Sequence, residues 1–209
     1  MSKTFPVTMG RTGIQMVENL QIYDMVWGMC NLTRFTGKAD RQVSVGVHSL
    51  HCYDIATIWH PENYPLQLYA LTHDLPEAYY GDFPGFLKPE LGPDFAAVLA
   101  RIDDIVLSQL GLSKDVRLAL EPDLKRIDHN ALALEAQYAF DAFEPYHWPN
   151  PDLYTSTDII EGLLTGLDSI SIYNLLIDTL NELGETNEAL SQLLHRHRGY
   201  SHPRRNFLR

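Results

Sequence analysis

The sequence is poor in cysteine, and it contains no long apolar run. Only two cysteines, Cys30 and Cys52, occur in 209 residues. Both lie in apolar stretches, which predicts buried free thiols rather than a disulfide. No apolar run reaches the roughly 18 residues that a membrane span needs. The start, Met1 to Pro6, lacks an apolar core and predicts no signal peptide. A cytoplasmic location without a membrane partner is therefore expected.

Positive charge is also scarce, since 16 Lys and Arg stand against 27 Asp and Glu, for a formal net charge of -11. This balance argues against a stable nucleic-acid partner, although a small anion such as a nucleotide responds to the local field. The exception is segment 195–209, with five arginines and no acid. We interpret it as a solvated or subunit-packing tail, with a phosphate or nucleic-acid contact as the alternative.

Strand-like alternation is nearly absent, and the helical spacing of apolar residues predicts an all-α fold. A chain of this length suits a single domain, 1–209, of which 1–18 form an N-terminal arm. A first helix is expected from Asn19 to a stop at Thr36-Gly37-Lys38, where Gly37 is a plausible left-handed cap. Ser44 and Ser113 are candidate N-caps. The further predicted helices are 44–60, 65–80, 93–110, 113–120, 123–143, 158–183 and 185–196.

The most informative feature is the adjacent pair His73-Asp74 in an apolar stretch. Their imidazole nitrogen and carboxylate oxygen can reach one divalent metal, and a lone aspartate there would be costly to bury. His48 lies on an earlier predicted helix and Asp128 on a later one, and a helical bundle can bring such residues together in its core. Taken alone, His48 is typical of a core histidine and Asp128 of a surface charge. Their joint pattern favours a metal site.

This ligand set, with two histidines and two carboxylates, leaves positions open on a six-coordinate metal, which favours catalysis over a structural role. It suits Mn, Co, Fe, Ni or Zn better than Ca. Glu77 lies four residues after His73, hence on the same face of the predicted helix, and is a candidate general acid or base. Nearby carboxylates would raise its pKa. The alternative is a surface glutamate.

The order His, His-Asp, Asp resembles the HD phosphohydrolase superfamily, over about residues 10–140. The resemblance implies an HD-domain helical bundle with the metal in its core. In one departure, Val47 occupies the position before the first metal histidine, where the family commonly carries Glu or Gln. The motifs that carry the resemblance are Arg34-Phe35 before Arg41, Ser44-Val45, His48-Ser49, His73-Asp74 with Glu77, Gly81-Asp82-Phe83-Pro84, Leu87-Lys88, and Asp128 with Leu132 and Glu135.

The resemblance also implies roles for other residues. Glu77 would be catalytic, and so would the loop residue Asp82, whose alternative is a plain turn residue. A second divalent ion such as Mg could accompany the substrate phosphates, and a homo-oligomer, from dimer to hexamer, is expected. The residues implied in phosphate binding are Arg34, Arg41 and Lys88. Those bordering the nucleoside are Ile22, Trp27 and Phe35, although an aromatic side chain there is more often part of the core than a stacking platform.

Two groups within the superfamily are similar to this chain. One comprises 5′-deoxynucleotidases, and the other comprises small phage enzymes that cleave dATP to deoxyadenosine and triphosphate. The stretch from Gly10-Arg11 through Cys30 to Gly37 looks more like the phage group. The leading expectation is a triphosphohydrolase of dATP, with metal-activated water attacking the α-phosphate, in the host cytoplasm if phage-encoded. The alternatives are a nucleotidase acting on deoxynucleoside monophosphates and, disfavoured by the complete ligand set with Glu77, a non-catalytic nucleotide sensor.

Overall fold

The computed structural model describes residues 20–142 and 167–197, and this part of the chain is all-helical, as predicted. It contains no strand, apart from an isolated antiparallel bridge between Thr33 and Ser44. The expected arm 1–18, the start of the helix predicted from 158, and most of the basic tail lie outside the described residues. The helices are α1 (Ile22–Asn31), α2 (Val45–Trp59), α3 (Tyr64–Thr72), α4 (Glu77–Tyr80), α5 (Leu87–Glu90), α6 (Gly92–Gln109), α7 (Lys114–Ala139), α8 (Ser169–Gly184) and α9 (Glu188–His197).

Several predicted helix boundaries are confirmed by their capping contacts. The Ser44 hydroxyl accepts a hydrogen bond from the Val47 N–H at 3.2 Å, and Ser113 caps α7 in the same way. Gly111 follows α6 with φ +84°, a conformation that glycine adopts without strain. Asp168 caps α8 through the Ser171 N–H. A helix running without interruption through 158–183 is therefore wrong.

The helix predicted over 65–80 is also wrong, because residues 73–76 form turns between α3 and α4. Pro76 has no N–H to donate and disfavours the α conformation at the preceding residue, so the chain turns before α4 begins. The turn is closed by hydrogen bonds from Leu75 N–H to Thr72 O and from Glu77 N–H to Asp74 O. This break matters because His73 and Asp74 lie in it.

Two other boundaries differ from the predictions. The segments 113–120 and 123–143 form one helix, α7, with Pro122 inside it. Buried residues on its face, such as Leu124 and Ile127, show that packing holds the helix together across the lost hydrogen bond. The first helix ends at Asn31 rather than near 36–38. Gly37, with φ +70°, instead closes a short 3₁₀ turn at Phe35–Gly37.

The helices pack as a bundle around α2, which contacts α1, α3, α7 and α8. Gly46 allows a close approach, since a Cβ there would meet Ile172 Cγ2 at 3.1 Å and Cys30 Cα at 3.3 Å. Cys30 and Cys52 are buried free thiols, as expected. None of the described helices has the length and apolar character needed to cross a bilayer. The architecture thus places one face of α2 against both α7 and the turn after α3.

Candidate metal centre and cleft

The predicted metal ligands converge where α2, α7 and the turn after α3 meet. His48 Nε2 lies 3.1 Å from Asp128 Oδ1 and 3.5 Å from Asp74 Oδ2. His73 Nε2 lies 3.4 Å from the same Asp74 oxygen. Bonds of about 2.1 Å to a shared ion place neighbouring ligand atoms about 3.0–3.5 Å apart. These three spacings are compatible with ligands of one ion.

Both histidine rings present the same nitrogen to this point. His73 Nδ1 donates to the Ala70 carbonyl oxygen at 2.9 Å, and His48 Nδ1 donates to Glu135 Oε1 at 2.8 Å. These acceptors keep the proton on Nδ1, so each neutral ring offers its Nε2 lone pair. Within the described part of the chain, His73 Nε2 is buried and has no hydrogen-bond partner. An unpaired buried nitrogen of this kind fits a metal ligand.

The electrostatics of the cluster also call for a cation. Burial and Arg34 tend to lower the pKa of His48, but Cys52, Glu135 and Asp128 raise it well above its usual value. Burial tends to raise the pKa of Asp128, which His48 nevertheless holds well below its ordinary range. The acids that favour the charged form of His48 would likewise favour a divalent cation at this point.

Cys52 belongs to the same group of residues, and the sequence reasoning assigned it no role beyond a buried thiol. Ligand atoms of His48, Cys52, His73 and Asp128 all lie within 4.8 Å of one another, so this group could hold a metal ion whose identity the residues do not fix. The sulfur lies 3.5 Å from His48 Nε2 and 3.9 Å from Nδ1, beside the ring rather than in line with the Nε2 lone pair. Burial raises the pKa of the thiol to about 11. The sequence feature that could have indicated a role for Cys52 is its i, i+4 spacing from His48.

The cluster opens into a cleft of 640 Å³ that carries charged and aromatic side chains. Its acidic lining residues include Asp74, Glu77, Asp82 and Asp128, and its basic ones are Arg34, Lys38 and Lys88. The apolar part of the lining includes Phe35, Phe83, Phe86, Leu132 and Phe140. A cleft of this size, with apolar walls and convergent polar groups, is typical of a small-molecule site.

Glu77 lies in this lining with a buried carboxyl group, 4 % exposed. Its Oε1 is 3.8 Å from Lys88 Nζ, and among the described residues its buried Oε2 has no hydrogen-bond partner. Burial, together with the negative charges of Asp74 and Asp82, raises the pKa of Glu77 to about 9. Without a metal, the carboxyl group therefore holds a proton near neutral pH. Burial also raises the pKa of Asp82.

Arg34 is fixed in the cleft wall by its backbone and its side chain. Its N–H donates to the Val43 carbonyl oxygen at 2.8 Å. Its guanidinium lies 3.5 Å from Asp74 Oδ2 through Nη1 and 3.3 Å from Glu135 Oε2 through Nε. Lys88 is half-exposed at the opening. Lys38, which also lines the cleft, was not among the predicted residues.

The structure places the predicted substrate residues Arg41, Ile22 and Trp27 outside the cleft lining. Arg41 is exposed and donates to the Tyr138 carbonyl oxygen and to Asp141 Oδ1, each at 2.7 Å. Ile22 is fully buried in the core. Trp27 packs edge-on against another ring of the core, Tyr173, at 5.9 Å. Of the nucleoside-bordering candidates, the cleft contains Phe35.

Glu135 belongs to the motifs that carry the family resemblance but had no predicted role, and the structure gives it a central position. It is fully buried, and its Oε1 accepts hydrogen bonds from His48 Nδ1 and His51 Nδ1. Burial tends to raise its pKa, but His48 and Arg34 hold the pKa well below the usual range. Val47, beside His48, is buried and apolar, so the partner of His48 comes from α7 instead. The sequence feature that could have indicated this role is a glutamate on an apolar helix face.

Comparison with known proteins adds little to this picture. No protein-family model matches the chain. An uncharacterized Escherichia coli K12 protein, YfdR, is 30 % identical over 95 residues, which cover 46 % of this chain. The match spans about half of that relative, 49 % of its length. The superfamily resemblance therefore stays a prediction that rests on the motifs.

Proposed function

We propose that the protein is a metal-dependent phosphohydrolase of deoxynucleotides, with dATP as the leading substrate. One observation carries the proposal: the convergence of His48, His73, Asp74 and Asp128 at a cleft that Arg34, Lys38 and Lys88 line. Open metal positions beside cationic side chains suit a phosphate ester better than a neutral substrate. The proposed ligand set takes Asp74 rather than Cys52, because the sulfur lies beside the His48 ring rather than in line with its Nε2 lone pair, whereas one Asp74 oxygen lies 3.4 to 3.5 Å from both Nε2 atoms.

A bound divalent ion would lower the pKa of a water and polarise a phosphoryl oxygen. In the proposed reaction, the water would lose one proton to solvent, its oxygen would bond to the α-phosphorus, and the bond from phosphorus to the 5′ oxygen would break. Glu77 would give a proton to the departing 5′ oxygen, since its buried carboxyl group lines the cleft and its surroundings raise its pKa. The products are then a deoxynucleoside and triphosphate.

With a metal bound, the charges of the cleft would favour the binding of a polyphosphate. Its basic residues Arg34, Lys38 and Lys88 are offset by the carboxylates of the same lining, so a divalent ion tips the local balance towards binding anions. Several cations suit a triphosphate better than a monophosphate. Phe35 and Phe140, with ring centroids 5.3 Å apart, provide an apolar wall for a base. Phe83 and Phe86 add further apolar surface to the lining of the cleft.

A product assay on the metal-loaded protein tests the proposal. We would offer the four deoxynucleoside triphosphates and monophosphates with Mn²⁺ or Co²⁺ and separate nucleoside, orthophosphate and triphosphate by chromatography. We expect deoxyadenosine and intact triphosphate from dATP. Orthophosphate released from monophosphates alone would instead establish a nucleotidase. The absence of turnover on both sets would refute the enzyme.

Arg34→Ala is expected to raise KM for the nucleotide by about 10- to 100-fold, because charge-assisted hydrogen bonds to phosphate are worth about 1.5–3 kcal/mol. Co²⁺ affinity, measured by calorimetry, should change less than KM. Arg41→Ala is the matched control, since Arg41 lies outside the cleft and pairs with exposed Asp141. Equal KM values for the two variants would show that Arg34 does not bind substrate.

A further inference from the structure

We propose that Glu135 is a positioning residue that holds the metal ligand His48 and the cleft residue Arg34 in one fixed arrangement. This inference rests on the proposed metal site. Glu135 lies on α7 and His48 lies on α2, and the side chain of Glu135 is fully buried. It reaches the proposed centre through its neighbours rather than through the cleft, since it is not among the cleft-lining residues.

The two oxygens of Glu135 face different partners. Oε1 lies 2.8 Å from His48 Nδ1 and 3.1 Å from His51 Nδ1. Oε2 lies 3.3 Å from Arg34 Nε. A buried carboxylate is costly unless donors or cations surround it. Here Oε1 accepts from two histidines of α2, while Oε2 faces the Arg34 guanidinium as an ion pair and, among the described residues, makes no hydrogen bond. The carboxylate therefore joins three parts of the chain at one point.

For His48 the contact decides which nitrogen faces the metal. A carboxylate that accepts from Nδ1–H fixes the ring orientation and leaves the Nε2 lone pair towards Asp74 and Asp128. The negative charge also makes Nε2 a stronger donor to a cation. The sulfur of Cys52 lies beside the same ring, 3.5 Å from Nε2. A change at Glu135 should therefore alter metal binding through the orientation and charge of His48, although Glu135 itself does not contact the metal.

For Arg34 the contact fixes the guanidinium between two acids. Nε faces Glu135 Oε2, while Nη1 faces Asp74 Oδ2 at 3.5 Å. Asp74 is itself a proposed metal ligand, so Glu135 acts on the centre along two routes. Loss of the carboxylate should loosen the proposed phosphate contact as well as the metal. A residue that only filled space in the core would affect neither selectively.

The test compares Glu135→Gln, which matches glutamate in volume, with Glu135→Leu, which is apolar. Gln keeps one acceptor oxygen but loses the charge, while Leu loses both. We expect Co²⁺ affinity, measured by calorimetry on each folded protein, to fall about 10- to 100-fold for Gln and further for Leu. KM for the nucleotide should rise in the same order. Leu134→Ala, the truncation of a buried neighbour on the same helix, should lower Tm but leave Co²⁺ affinity unchanged.

The outcomes separate the inference from the proposed function. If the wild type binds Co²⁺ and the Glu135→Gln variant binds it with equal affinity, the positioning role is overturned while the proposed metal site stands. Equal losses in Glu135→Gln and Leu134→Ala would also overturn it, by showing a general effect of core packing. Wild-type protein that binds no Co²⁺ would refute the proposed metal site, and the inference with it. If Glu135→Leu fails to fold, the Gln variant still decides.

Discussion

Asp74→Asn is expected to abolish tight metal binding and to lower turnover by at least about 10³-fold. The asparagine keeps the volume of the side chain but removes the charge from the oxygen that lies 3.4 Å from His73 Nε2 and 3.5 Å from His48 Nε2. A metal contributes several kcal/mol of transition-state stabilisation in phosphoryl chemistry, and each 1.36 kcal/mol is about tenfold in rate. The measurements are Co²⁺ calorimetry and the product assay.

The matched control for this change is Asp141→Asn. Asp141 is an exposed aspartate that pairs with Arg41 at 2.7 Å, outside the cleft lining. Its replacement should leave metal affinity and turnover near those of the wild type. Far-UV circular dichroism would show that both variants keep their helices. A metal-replete and active Asp74→Asn protein would exclude Asp74 as a ligand and undermine the centre as proposed.

Glu77→Gln is expected to keep the metal and to lower turnover by about 10²- to 10⁴-fold, the usual contribution of a general acid or base. The glutamine fills the same buried space but cannot give up a proton. Burial, together with Asp74 and Asp82, raises the pKa of the native carboxyl group to about 9, and a bound cation would lower it from there. Steady-state kinetics and Co²⁺ affinity together separate this loss from loss of metal.

The pH profile distinguishes a catalytic Glu77 from one that only holds Lys88. A proton donor gives the wild type a limb of falling activity as pH rises through its pKa, and the Gln variant should lack that limb. If Glu77 only fixed Lys88, Lys88→Gln would reproduce the loss and the limb would persist in Glu77→Gln. Glu188→Gln, at an exposed glutamate on α9, is the control and should leave the kinetics unchanged.

The composition of the proposed centre was predictable because its chemistry is local to each residue. An aspartate beside a histidine in an apolar stretch is costly to bury without a cation, and that cost can be read from the residues around His73. His48 and Asp128 followed from residue type and their places on helices. The structure brings these side chains within 3.5 Å of their neighbours, while the role of each stays a prediction.

The surroundings of the centre were less predictable, because they depend on which helices meet. The side chains of Arg41 and Trp27 suited a ligand as well as Arg34 did, and only the packing placed them elsewhere. The helix ends before Pro76 but continues through Pro122, so a proline alone does not decide whether a helix ends. In α7 the residues Leu124 and Ile127, which follow the proline, are buried in the core, whereas after α3 the chain turns at residues 73–76 before the short helix α4 begins.

By itself, the sequence determined the all-helical class, the capping serines and the residue types that a divalent ion would require. These properties follow from periodicity and from the cost of burying charge, which act over a few residues. Only the tertiary structure decided that Glu135 faces both His48 and Arg34, that Cys52 lies beside the ring, and that Lys38 joins the cleft. Such contacts connect residues distant in sequence, and no local pattern fixes which faces of α2 and α7 meet.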